Sequence, residues 1–131
     1  MKQPVQYCCF LFAAWLAVGA AFAAPQVIEG QTGQDAYYQI TMPDDWNGDL
    51  VVYAHGIIEP FMPIMLPVKD DIQALRDTLV SNSYAVAYSS YSANGFAVAE
   101  GILNTRHVNS LFIRNFGQPD RTFLVGHSLG G

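Results

Sequence analysis

Residues 121–131 read RTFLVGHSLGG: the apolar β-formers Phe123-Leu124-Val125 run straight into Gly126-His127-Ser128-Leu129-Gly130, with Gly131 following. This is G-x-S-x-G placed directly after a buried-strand candidate, and the placement makes the pattern informative. A turn from strand into helix that holds a serine hydroxyl clear of the surface strains the serine backbone. Flanking Cβ atoms would clash there, so glycines are needed. A helix starting at the serine aims its first N–H groups at a developing oxyanion. Ser128 is therefore a candidate nucleophile, with Gly126, His127 and Gly130 forming the elbow around it. The bland alternative is an ordinary serine in a glycine-flanked turn.

Upstream, the apolar run 50–54 (LVVYA) has the continuous hydrophobicity of a strand covered on both faces, and His55-Gly56 ends it. Acyl transfer needs two N–H donors at the oxyanion, one of which commonly comes from the loop after such a strand. YAHGII stands at that point, so Ile57 N–H and Leu129 N–H are the candidate pair, supported by His55 and by the bend that Gly56 permits. A His-Gly turn that merely ends a strand is the alternative. The loop IIEPFMPIMLP contains Pro60, Pro63 and Pro67, which exclude a regular helix. Loops at the ends of parallel strands carry substrate sites, so Phe61, Met62, Met65, Tyr91 and Phe96 are candidates for an apolar acyl or alcohol pocket. They could equally pack beneath those loops.

The remaining elements follow from hydrophobic periodicity. Residues 27–42 hold two β-like runs around GQTGQD, an antiparallel hairpin. Ile72, Leu75, Leu79 and Val80 mark one face of a helix that has Asp70 or Asp71 in its first turn. YAVAYSS (84–90) reads as a second buried strand. From about Phe96 to Phe116 a second helix is expected, with Val98, Ile102, Leu111 and Phe112 inward and Gly117 as its stop. The fold class is thus α/β, an antiparallel N-terminal hairpin followed by parallel strands with crossover helices.

Residues 1–23 read as a secretory signal peptide. Lys2 precedes the uncharged run Tyr7–Ala24, which closes on Ala21-Phe22-Ala23, the small-x-small pattern of a cleavage site. That leaves residues 24–131 as the mature, secreted or periplasmic part, and membrane contact only through an uncleaved leader. Both cysteines, Cys8 and Cys9, lie in the leader, so no disulfide and no Cys-ligated metal is expected. The chain carries a net charge of −5, and removing Lys2 makes it more acidic, which disfavours a nucleic-acid partner. No phosphate-loop, dinucleotide-loop or H-E-x-x-H spacing is present, and neither metal nor cofactor is expected. His127 is too close to Ser128 in sequence to fold back as its base and is expected to pack beside the strand end, while His107 lies within the second helix.

LVVYAHG and FLVGHSLGG together resemble the α/β-hydrolase superfamily, with a closer likeness to secreted bacterial members that carry a DDWNGDLVVYAHG-type segment. YSSYSANGFAVAEGILNT resembles the stretch after the next strand in those proteins, so the likeness spans about residues 35–131. It implies esterase, lipase or peptidase chemistry on a small-molecule ester or acyl substrate. In that family the chain order is nucleophile, acid, histidine. Both partners of Ser128 would then follow residue 131, and the sequence reads as the N-terminal part of an α/β-hydrolase domain, inactive alone. The family's strand order, resembling 1-2-4-3-5-6-7-8, would leave strand 121–126 at an edge here. Readings of a different kind are a non-catalytic secreted binding module on the same scaffold and a signal-anchored envelope protein.

Overall fold

A computed structural model describes residues 24–33, 35–67 and 69–131; the leader read over residues 1–23 lies outside them. Strands β1 (Gln26–Gln31) and β2 (Tyr37–Met42) form the expected antiparallel hairpin, paired from Gln26 opposite Met42 to Gln31 opposite Tyr37. Then β3 (Asp49–Ala54), helix α1 (Asp70–Ser81), β4 (Ala85–Ser89), helix α2 (Val98–Phe116) and β5 (Arg121–Gly126) alternate along the chain. The sheet order is β1-β2-β4-β3-β5, with β2 antiparallel to β4 and β3 parallel to both β4 and β5.

Strand alternation divides the core into two layers. Leu50 and Val52 of β3, with Ala85 and Ala87 of β4, face Val108 and Phe112 of α2. Tyr53 of β3, with Val86 and Tyr88 of β4, joins Ile72, Leu75, Leu79 and Val80 of α1 in a second cluster. Each of these strands is buried along its whole length because a helix covers either face. The chain steps from β3 to β4 in one direction and then crosses back over β3 to β5. With crossovers of one hand, that reversal puts the two helices on opposite faces.

The inward face of α2 differs from the expected one. Gly101, Asn104, Val108 and Phe112 are buried, whereas Val98 is 40 % and Ile102 56 % exposed. The reason is steric: Tyr91 lies beneath the first turns of α2, and an added Cβ on Gly101 would come within 3.1 Å of its ring. A small residue has to face inward there, which rotates Val98 and Ile102 outward into a groove with Leu124 and Leu129.

Candidate active site

The site forms where the strand order reverses. Ala54 pairs with Gly126 at the carboxyl ends of β3 and β5, so the chains that leave these strands emerge side by side. Ligand crevices of open α/β sheets lie at such a switch point. The pairing runs one step further, with His127 N–H donating to the Ala54 carbonyl at 3.2 Å. The backbone then turns abruptly into a 3-10 turn over Ser128–Gly130.

Both glycines that flank this turn, Gly126 and Gly130, are sterically required. A Cβ on Gly126 would collide with the Gly130 carbonyl, and one on Gly130 with the carbonyls of Ala54 and His55. Ser128, between them, has φ +55°, a left-handed conformation that costs a residue with a Cβ about 1–3 kcal/mol. The turn is closed by Gly130 N–H to the His127 carbonyl (3.0 Å) and Gly131 N–H to the Ser128 carbonyl (3.1 Å). Ser128 is exposed, and its hydroxyl has no hydrogen-bond partner among the described residues.

Gly56 packs directly on this turn. A Cβ there would stand 3.0 Å from Ser128 Cβ and 3.1 Å from the His127 carbonyl oxygen. His55 is 4 % exposed, with Nδ1 2.6 Å from the Gly56 carbonyl oxygen. Burial holds its imidazole below the ordinary value, a shift opposed by the Gly56 and Ser90 carbonyls and reinforced by Lys69. Ile57, next in the chain, is exposed at the same mouth.

A cleft of about 310 Å³ opens between Ser128 and the start of α1. Its walls are largely apolar: Ile57, Ile58, Met62, Met65, Leu66 and Ile72. Of the five pocket residues expected from sequence, Met62 and Met65 line this cleft. Phe61 and Phe96 do not; they are 82 % and 80 % exposed and project outward. Tyr91 is also outside it, buried at 5 % exposure beneath the β3 loop, because its ring stacks on His55 instead of turning to the cleft. His127 is exposed and lines the cleft beside Ser128, with its ring against Gly56 just past the end of β3. Tyr53, Leu66 and Ile72 were not anticipated as lining residues. Tyr53 and Ile72 read as core by periodicity and are core, and Leu66, from the proline-rich loop, packs against them: the cleft floor is the edge of the α1 layer.

Lys69 and Asp71 add one charge of each sign to the cleft wall. Among the described residues no three of His, Cys, Asp and Glu converge as a metal site would require. His107 lies half-buried on α2 in a separate hollow with Leu103 and Ser110, so none of the three histidines is hydrogen-bonded to Ser128.

Comparison with protein-family models gives no match, and comparison with curated proteins gives none either. Solved structures do match in fold. A highly thermostable carboxyl esterase from Bacillus coagulans superposes with a TM-score of 0.51 at 15 % identity, covering 82 % of this chain and 37 % of that one. An α/β serine hydrolase without a lid from Xanthomonas campestris superposes with a TM-score of 0.53 at 12 % identity, covering 82 % and 52 %. The chain thus spans roughly a third to a half of the length of these structures. Its architecture is part of the α/β-hydrolase fold: the hairpin, the first three parallel strands and their two crossover helices.

Proposed function

We propose that this chain carries the nucleophile and oxyanion half of a secreted serine hydrolase acting on carboxylic esters. The observation that carries this reading is Ser128 itself. It is an exposed serine at φ +55°, held between two glycines that admit no side chain, at the mouth of an apolar cleft. Strain of this size persists only where the surrounding structure imposes it, and such positions cluster at functional sites.

In the proposed reaction Ser128 Oγ attacks the ester carbonyl carbon and its proton passes to a general base. The carbonyl oxygen takes the negative charge, facing the N–H groups of Ile57 and Leu129. The Leu129 N–H is not used in the two hydrogen bonds that close the elbow, which supports this assignment. Collapse breaks the carbon–oxygen bond to the alcohol, which leaves with the proton, and water then hydrolyses the acyl-enzyme. The base and the acid that orients it are supplied from outside the described residues. Met62, Met65, Leu66 and Ile72 line the space for an apolar acyl or alcohol group. At about 310 Å³ it lies at the small end of ligand pockets, which run from roughly 300 to 1,000 Å³.

A fluorophosphonate probe applied to the full-length protein tests the reading. Covalent label on the Ser128 peptide, absent from Ser128→Ala, is the expected result. A folded, unlabelled protein would instead favour a binding module on a hydrolase scaffold. Residues 24–131 alone are expected to turn over no short nitrophenyl ester above the Ser128→Ala control, since losing the base costs orders of magnitude in rate. Export through the leader is tested by sequencing the N-terminus of secreted material. Ala24 is expected there, and a retained Met1 would favour an anchored protein.

A further inference from the structure

We propose that Tyr91 is a positioning residue for the oxyanion loop: it locks His55, and His55 in turn fixes the direction of the Gly56–Ile57 peptide. The proposal rests on the hydrolase reading above for its consequence in the reaction, but its geometry stands apart from that reading.

Tyr91 follows β4 with φ +59°, a conformation rare for a bulky side chain, and is nonetheless buried. Contacts to β2 and to α2 hold it there. The Ser90 hydroxyl donates to the Tyr91 carbonyl at 2.8 Å while accepting Tyr37 N–H from β2 at 2.9 Å. Ser90 N–H donates to the Tyr37 carbonyl at 2.8 Å, which ties the same corner to β2 a second time. From α2, Gly101 admits the ring edge at a distance no alanine would leave relaxed.

So fixed, Tyr91 grips His55 twice. The rings stack with centroids 3.8 Å apart and planes inclined by 22°. The Tyr91 hydroxyl donates to the His55 carbonyl at 3.0 Å. His55 passes the constraint on through Nδ1, which donates to the Gly56 carbonyl oxygen at 2.6 Å. A trans peptide is planar, so its C=O and N–H point in opposite directions. Holding the Gly56 carbonyl toward the His55 ring therefore sets where the Ile57 N–H points. A purely packing role would need the stack but neither hydrogen bond.

The test compares Tyr91→Phe, which keeps the ring and removes the hydroxyl, with Tyr91→Leu, which removes both grips. In the full-length protein, Tyr91→Leu is expected to slow the limiting rate of fluorophosphonate labelling at Ser128 by about ten- to a hundredfold. That is less than the roughly 10²–10³ of losing a donor outright. Tyr91→Phe should fall between Tyr91→Leu and wild type, and probe affinity should stay within about twofold in both, since only the transition state uses the donor. A folded Tyr91→Leu that labels at the wild-type rate would overturn the proposal. Should Tyr91→Leu not fold, an unchanged rate in folded Tyr91→Phe would overturn it equally. If wild type itself does not label, the hydrolase reading has failed, and the Ile57 amide decides instead. Faster hydrogen exchange or a doubled Ile57 resonance in the variants supports the clamp, and an unaltered one refutes it.

Discussion

Arg121 holds Asp49 with both arms of its guanidinium, Nε to Oδ1 at 2.9 Å and Nη2 to Oδ2 at 2.6 Å. The two residues stand opposite each other at the first register position of β3 and β5. The Asp49 side chain is 3 % exposed and that of Arg121 68 %, so one end of the pair is core and the other is solvent. The pair clamps the start of β5, whose far end leads into the Ser128 turn. Around it, Trp46 Nε1–H donates to the Asp49 carbonyl at 2.7 Å, and the Asn47 side chain accepts Asp49 N–H at 2.9 Å.

Loss of this clamp should loosen β5 before the rest of the sheet. Arg121→Ala leaves a buried carboxylate without its partner, the costly way to break an ion pair. The expected outcome is a lower melting temperature and faster hydrogen exchange across residues 121–126, with β4 amides less affected. Uniform exchange changes across the sheet would argue that the pair does not act locally.

Ser128→Gly should separate stability from function. Glycine takes φ +55° without the Cβ penalty, so this variant should be about 1 kcal/mol more stable than Ser128→Ala while losing all covalent labelling. Gly130→Ala should do the opposite. Its new Cβ meets backbone carbonyls that cannot swing aside, giving a loss at the upper end of the roughly 1–3 kcal/mol typical of overpacking. Chemical denaturation midpoints read both effects, and equal stability of the Gly and Ala variants at 128 would show that the turn is unstrained.

Burial of His55 should make the fold sensitive to mild acid. Its imidazole is held below the ordinary value of 6.5, so the neutral form is favoured in the folded state. As pH falls below about 6.5 the unfolded chain binds the proton first, so stability is fully present above that pH and drops beneath it. Urea midpoints measured at about pH 7.5 and about pH 5.5 should fall more for wild type than for His55→Gln. Equal losses would place the acid sensitivity elsewhere.

The outer edge of β5 should drive self-association of residues 24–131. All six of its residues are exposed, and Leu124, at 66 %, presents its side chain beside a strand edge that has no neighbour among the described residues. Such an edge is a template for pairing with another chain. Leu124→Lys is expected to shift the species seen in sedimentation velocity toward monomer. A wild-type fragment that stays monomeric at high concentration would show the edge to be innocuous.

Local chemistry made much of this molecule legible from its sequence. The short apolar runs at 50–54 and 84–88 have the length and residue types of strands covered on both faces, and glycines two residues either side of Ser128 imply a turn with no room for Cβ atoms. Those inferences need only residue type and spacing: the strands and helices lie where spacing put them, and a tight turn with Ser128 at φ +55° follows β5. What spacing cannot encode is which side chains meet across the sheet. Tyr91 and Phe96 looked alike as aromatic loop residues, yet one is buried against His55 and the other stands in solvent. Ile102 satisfied the helical period but lost the inward position to Gly101, because the space beneath α2 was already filled by a ring from another loop. Cleft, clamp and inward helix face are all decided by excluded volume between segments distant in sequence, and only the tertiary structure brings those volumes together.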